Sequence, residues 1–302
     1  MEPSAPHEAP AAPRLHPVAR AIGERLVPVP AGAFLMGGAD VDANPLDAEG
    51  PVRSITVPGF RIDPFLVTNE EFAAFVDDTG YVTVAEEFEW SFVFAGHLDE
   101  RTRESSPLPP YTPWWRAVLG ARWDQPEGPG STVADRARHP VVHMALRDAD
   151  AFARWCGLRL PTEAEWEKAA RGGLEQARYA WGNDLHPGGA HMCNIFQGEF
   201  PTHNTCADGF AATSPVGAYP PNGFGLFDVA GNVWEWCRDA WDVSAGEGSA
   251  RVIRGGSFLC HDSYCNRYRV AARTSSGADD TSSNKGMRLA MTDSGPVSTV
   301  AP

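Results

Sequence analysis

The sequence predicts an irregular α+β fold, rich in loops and built as a single domain. Three observations carry that expectation. No alternation of strand and helix runs along the chain, which excludes a doubly wound sheet. Only a few short stretches combine helical periodicity with capping signals, and the apolar runs between them are brief. The 302 residues include 30 glycines and 26 prolines, so much of the backbone belongs to turns. Ten tryptophans suit such a fold, because each buries a large area where long elements are lacking.

Taken in order, residues 1–20 hold five prolines and no apolar stretch of the kind a secretory signal needs. They read as a disordered tail. The folded domain is expected over 21–292, with a frayed tail at 293–302. Leu26 to Gly38 reads as two short strands separated by turn residues, residues 39–52 as a polar loop, and Arg53 to Ile62 as a further strand or two. The first helix starts at Thr68. Thr68 and Glu71 form a capping-box pattern, Phe72, Phe75 and Val76 follow at helical spacing, and Gly80 supplies the stop.

Residues 81–137 show no sustained period. Phe88 to Phe94 fits a buried strand, and Trp114, Trp115 and Trp123 follow in a long loop. Long loops inside compact domains are usually functional, while each indole taken singly can serve as core filler. His139 and His143 would face one metal on a helix. Pro140 and the two valines make the segment extended instead, where positions four apart lie too far apart for easy chelation. Asp148–Trp155 and Thr162–Arg171 are the next helices, the latter opened by a Thr162/Glu165 capping box and closed by Gly172-Gly173. Trp181 to Trp241 reads as loop. Cys193, His203 and Cys206 within it match no compact zinc module. Strand-like runs at Tyr268–Arg273 and Gly286–Ala290 close the domain.

A net charge of −14 argues against nucleic acid as a partner, since phosphate binding needs a basic face. No run of 18 apolar residues suggests a membrane span. Six cysteines without a secretory signal point to a reducing, cytoplasmic setting.

The chemistry concentrates at Arg254–Arg273. Cys260 and Cys265 stand five positions apart, Ser257 precedes the first by three, and four arginines face one aspartate. Neighbouring cations favour the thiolate, the reactive and metal-binding form of cysteine. From the residues alone, three readings stay open: a short-loop disulfide, which gains little from closing so small a loop; two unrelated buried thiols; or a redox or copper pair, since soft thiolates select Cu(I).

The stretch R-G-G-S-F-L-C-H-D-S-Y-C-N-R-Y-R-V-A-A-R closely resembles the active-site segment of the formylglycine-generating enzymes, the sulfatase-modifying factor family. Asn194–Phe200, Pro220–Leu226, Gly231–Trp236 and Arg159–Glu167 look like family landmarks in family order, so the resemblance covers about residues 26–292. Its specific part is S-x-x-C-x-x-x-x-C. The resemblance implies a fold distantly like C-type lectins. It also implies a copper-dependent oxidase that uses O2 and an external reductant. The substrate would be the cysteine of a C-x-P-x-R motif in an unfolded type I sulfatase, and the product Cα-formylglycine. By the same resemblance, Cys260 and Cys265 hold Cu(I), and Ser257 positions the client or a reactive oxygen species. Tyr264 and Trp234 belong to the pocket, and Asn284 lines the peptide groove.

Two structural calcium sites are implied as well, one at Asn194, Ile195, Asp208 and Phe210 and one at Asp228, Gly231, Val233 and Glu235. Hard oxygen donors of this kind suit Ca2+. Eukaryotic members carry structural disulfides where this chain has Ala153, Ala170, Val270 and Leu289, which agrees with a cytoplasmic, bacterial protein; a monomer is expected. The segment Asp242–Ala250 is shorter than in many members, which bears on substrate range. Two rival readings share the fold: a non-catalytic binding module or inactive paralogue, which would be expected to lack the Ser–Cys–Cys set, and an iron enzyme of thiol–histidine conjugation, which needs a helical partner domain that this sequence lacks.

Overall fold

The computed structural model describes residues 15–242, 244 and 249–293. Its first element corrects the reading of the N-terminal tail. Helix α1 spans Pro17–Arg25, and Ala19 and Ile22 are both 0% exposed. Proline at a helix start loses no hydrogen bond and presets φ. The His16 ring accepts from the Val18 N–H, and Arg25 ties the far end to Asp63 and Glu71. Within the expected tail, Ala19 therefore belongs to the core and Val18 packs against it. The rest of the expected tails, 1–14 and 294–302, lies outside the described residues, as do 243 and 245–248 of the shortened segment.

Strands β1 (Val27–Val29), β2 (Gly32–Met36), β3 (Arg53–Val57) and β4 (Phe60–Ile62) fall where the apolar runs placed them. Helix α2 (Asn69–Thr79) opens on the anticipated capping box and ends at Gly80 with φ 66°. Helix α3 (Val84–Phe88) was not anticipated. A second capping box, Thr83 with Glu86, starts it, and Glu89 ends it in the left-handed region. The strand expected from Phe88 therefore begins two residues later, as β5 (Trp90–Phe94). It pairs antiparallel with β6 (Trp115–Leu119), and α4 (Glu100–Ser105) lies between them. Helix α5 (Leu146–Trp155) starts earlier than Asp148, because the Asp148 carboxylate reaches back to accept from the Ala145 N–H. Helix α6 (Glu163–Arg171) follows its capping box and stops at Gly172.

The second half differs most from expectation. A two-residue pair, β7 (Gly198–Glu199) and β8 (His203–Asn204), is followed by β9 (Trp234–Ala240), where loop was expected. Its first four residues are all buried, so no alternation marked it as a strand. With β10 (Arg251–Arg254), β11 (Arg273–Ser276) and β12 (Lys285–Gly286) it forms a four-stranded sheet of order β11-β10-β9-β12. Tyr268–Ala272, expected to be strand, are turns that lead into β11. Gly286–Ala290 is split between β12 and β13 (Ala290–Thr292). β13 completes a second sheet, β1-β4-β13, which joins the two ends of the domain.

The four-stranded sheet divides the core. One apolar cluster gathers Phe72, Phe152 and Trp236, and another gathers Phe60, Trp166 and Val252. Trp166 on α6 donates its indole N–H to Glu235 on β9 at 2.8 Å. Among the described residues, no helix is long and apolar enough to cross a membrane.

Candidate active site

The loop between β10 and β11 opens on Gly255 and Gly256, at φ 91° and 73°. A Cβ on Gly256 would meet the Arg267 carbonyl oxygen at 3.0 Å, so this close return of the chain needs glycine. The Cys260 N–H donates to the Ser257 carbonyl at 2.9 Å, and the Cys265 N–H to the His261 carbonyl at 2.6 Å. These two tight turns bring the sulfurs of Cys260 and Cys265 to 2.7 Å. A disulfide is about 2.05 Å long, so the pair is in contact and unbonded, and all six cysteines are free.

Both thiols are buried, at 1% and 4% exposure, but their surroundings differ. Burial, and then the contact with Cys265, push the Cys260 thiol well above its ordinary value. Burial opposes ionisation of Cys265 too. The hydrogen bond from Cys260 and the nearby Arg267 guanidinium outweigh it and lower Cys265 to about 7. Of the two, Cys265 is thus the first to become a thiolate. It is also the one that lines the adjoining pocket, whose volume is about 390 Å³.

The arginines of this segment have separate tasks. Arg254 is held by Glu163 and Glu167, Arg269 by Asp40 and Glu49, and Arg273 by Glu163. Only Arg267, anchored by Asp47, shares the pocket with Cys265. The local positive charge seen in the sequence is therefore mostly spent on ion pairs that fasten the loop.

Behind the sulfurs lies a satisfied polar network. The Ser257 N–H donates to Cys260 Sγ at 3.4 Å. Ser257 Oγ accepts from Asn284 Nδ2 at 2.9 Å, and Asn284 Oδ1 accepts from the Ser282 hydroxyl at 2.8 Å. Trp234, Tyr264, Cys265 and Asn284 all line the pocket. Tyr264 is 43% exposed, lies flat on Phe200 at 4.4 Å and meets the edge of Trp114 at 4.8 Å. All six residues expected at the active site are thus brought together.

Of the eight residues of the two expected oxygen sites, Asn194, Ile195, Asp208, Phe210 and Gly231 are linked by contacts. Asp208 accepts from the N–H groups of Ile195 (3.0 Å) and Phe210 (3.2 Å). The Asn232 N–H donates to the Asn194 carbonyl at 2.8 Å, and a Cβ on Gly231 would stand 2.1 Å from that same oxygen, which joins the two sets. Asn194 Oδ1 and Asp228 Oδ1 are buried and have no hydrogen-bond partner among the described residues. Val233 packs in the core. The Glu235 carboxylate is already bound by Arg288, at 2.9 and 3.0 Å, and by Trp166. His139 and His143 do not converge: the first meets Thr213, and the second bridges Ser91 and the Pro126 carbonyl. Among the described residues, no group of three or more His, Cys, Asp and Glu is placed to hold a metal ion.

The family pattern of the sulfatase-modifying factor enzyme 1-like domain matches residues 12–293. The chain belongs to this family. It is 55% identical over 284 residues to a formylglycine-generating enzyme of Thermomonospora curvata, covering 89% of this chain and 94% of the relative. It is 52% identical to a formylglycine-generating enzyme of Streptomyces coelicolor, covering 87% and 88%. It is also 44% identical to the inactive Cα-formylglycine-generating enzyme 2 of Mus musculus, covering 88% and 85%. Among solved structures, PvdO from Pseudomonas aeruginosa superposes with a TM-score of 0.63 at 25% identity, over 88% of this chain and 94% of that one.

Membership of the sulfatase-modifying factor family explains the irregular α+β architecture. It does not by itself assign chemistry, because the family includes inactive members. The three charged residues of the pocket, Arg267, Asp280 and Lys285, were not among the site residues expected from the sequence. Arg267 and Lys285 adjoin the Cys265 and Asn284 positions in sequence. Nothing local marks Asp280.

Proposed function

We propose that this protein converts a cysteine of a sulfatase polypeptide into Cα-formylglycine. The observation that carries the reading is the sulfur pair: two buried thiols in contact, backed by the Ser257–Asn284 network and open to a pocket through Cys265. Relatives at 52–55% identity bear the name of that enzyme. An inactive member of the same fold would be expected to have lost the Ser–Cys–Cys set, which is intact here.

The donor set suits copper, since two soft thiols select Cu(I). At 2.7 Å the two sulfurs are in contact, so they would have to part to hold an ion between them. Cys260 and Cys265 would hold it, and bound copper would supply the redox chemistry with O2. The chain's own residues do the rest. Trp234 and Tyr264 wall the pocket and exclude water from the reacting Cβ. Ser257, held by Asn284, offers a hydroxyl to the client or to an oxygen species. The client thiol group and O2, with two electrons and two protons from an external thiol reductant, give the aldehyde, hydrogen sulfide and water. The client is read as an unfolded type I sulfatase bearing C-x-P-x-R, the protein as a monomer, and the setting as cytoplasmic, in keeping with six free thiols.

Calcium is the further metal in this reading. Asn194 Oδ1, buried without a partner among the described residues, supports a cation held with Asp208 and the carbonyls of Ile195 and Phe210. Asp228 Oδ1 supports a second, with the carbonyls of Gly231 and Val233. Glu235 is the least suited of the eight, because Arg288 already engages both its oxygens.

The test is aerobic incubation of a C-x-P-x-R peptide with the protein, with and without copper, followed by mass spectrometry for the change from thiol to aldehyde. Conversion that needs copper supports the reading. No aldehyde under either condition hands the case to a non-catalytic binding module.

A further inference from the structure

The pocket beside Cys265 has a floor and a wall. The wall is the turn that carries Tyr264 and Cys265, and the floor is one face of the four-stranded sheet. Register places Lys285 beside Trp234, and Ile253 between Trp236 and Thr274. Because side chains on neighbouring strands in register share a face, Lys285, Trp234, Ile253 and Thr274 form one surface, and all four line the pocket.

Lys285 is an unusual occupant of such a floor. Its ammonium lies 5.6 Å from the centre of the Trp236 ring. It donates to Ser276 Oγ at 2.5 Å and to the Asp280 backbone carbonyl at 3.3 Å, both uncharged oxygens. The Asp280 carboxylate is engaged elsewhere, by the Ser276 hydroxyl at 3.2 Å and the Gly277 N–H at 2.9 Å. Arg267, the other cation of the pocket, has Asp47 as its partner. No carboxylate among the described residues pairs with Lys285 in this way. Asp280 offsets only part of the burial of this ammonium, through space and through the Ser276 hydroxyl, so part of the desolvation cost stays to be recovered when an anion arrives.

We propose that Lys285 is a specificity-determining residue that receives a carboxylate of the client polypeptide, from an aspartate or glutamate flanking the cysteine to be modified. The inference rests on the pocket being the client site. The anion is a flanking side chain and not the client thiol, because the ammonium is tethered at the Ser276–Asp280 edge of the floor and neither sulfur of the pair is among its partners. A lysine ammonium serves here as a point charge, without the fixed fork of arginine.

The test uses the full chain and fluorescently labelled C-x-P-x-R peptides. Single aspartates are scanned along both flanks, each matched by its asparagine counterpart, and affinity is read by anisotropy. At one flanking position the wild type should bind the acidic peptide about tenfold tighter, the scale of a charge-assisted hydrogen bond. The preference should shrink with added salt, vanish in Lys285→Met and Lys285→Gln, and survive in Lys285→Arg. Equal affinities at every position in the wild type, or a preference that persists in both neutral variants, would overturn it. Mass spectrometry of the same peptides separates the two claims. Aldehyde without an acidic preference removes the role of Lys285 alone. An acidic preference without aldehyde removes the proposed activity and leaves this site standing.

Discussion

The sulfur-lined pocket and the oxygen-rich turns at 194–235 are both buried and polar, yet the side chains behind the sulfurs satisfy one another and two acceptors in the turns stay open. Around Cys260 and Cys265, the Ser257, Asn284 and Ser282 side chains satisfy one another, and the flanking arginines are fastened by acids from Asp40, Asp47, Glu49, Glu163 and Glu167. In the turns, Asn194 Oδ1 and Asp228 Oδ1 have no partner among the described residues. A buried acceptor left unmade costs about 1–3 kcal/mol. The difference teaches that local hydrogen bonds satisfy the groups behind the sulfurs, whereas the turns leave two acceptors open, which supports the calcium proposed above.

The strongest way to break this comparison is at the sulfurs. Cys260→Ser and Cys265→Ser should each abolish tight Cu(I) binding and lower aldehyde formation by about a hundredfold or more. The double variant should be little worse, as for residues that act as one unit. Cys156, Cys193 and Cys237 are equally buried, but burial and nearby carboxylates push their thiols up, and Arg25 beside Cys156 and Arg254 beside Cys237 do not outweigh them. Their serine variants, and that of Cys206, should keep turnover at a stability cost of about 1–3 kcal/mol. Full activity in copper-free protein, or in either variant of the pair, refutes the dithiolate reading.

Ser257→Ala should keep copper and slow turnover by about tenfold, the value of one hydrogen bond in a buried network. Loss of Cu(I) binding in this variant would move Ser257 from orienting the reactants to holding the metal.

In the oxygen-rich region, removing calcium with a chelator should lower Tm by roughly 5 °C, the scale of a ligand held near a hundred times its Kd. Asn194→Ala should shrink that shift. An unchanged Tm together with an unchanged, calcium-free composition would remove calcium from the account.

The smallest effect lies away from both regions and serves as their control. A chain starting at Ala21 loses Ala19 and the first turn of α1, and should melt about 2–4 °C lower, matching a loss near 1 kcal/mol. A chain starting at Leu15 should match the full length. Equal melting of all three would show that the first turn of α1 contributes nothing.

The sequence by itself determined what is settled within a few residues. The capping boxes Thr68/Glu71 and Thr162/Glu165 placed two helices because their hydrogen bonds close inside one turn. The spacing from Ser257 to Cys265 marked the candidate site for the same reason, since its turns span three to five residues. Only the tertiary structure decided what depends on distant partners. β9 could not be read as a strand because both its faces are covered, which erases alternation. The +3 segment could not be read as fastened loop, because Arg267 meets Asp47 across 220 positions and Arg254 meets Glu163 across 91. Lys285 entered the pocket through its register beside Trp234. Local hydrogen bonds are written in local spacing, but register and ion pairing are chosen by which surfaces the folded chain brings together.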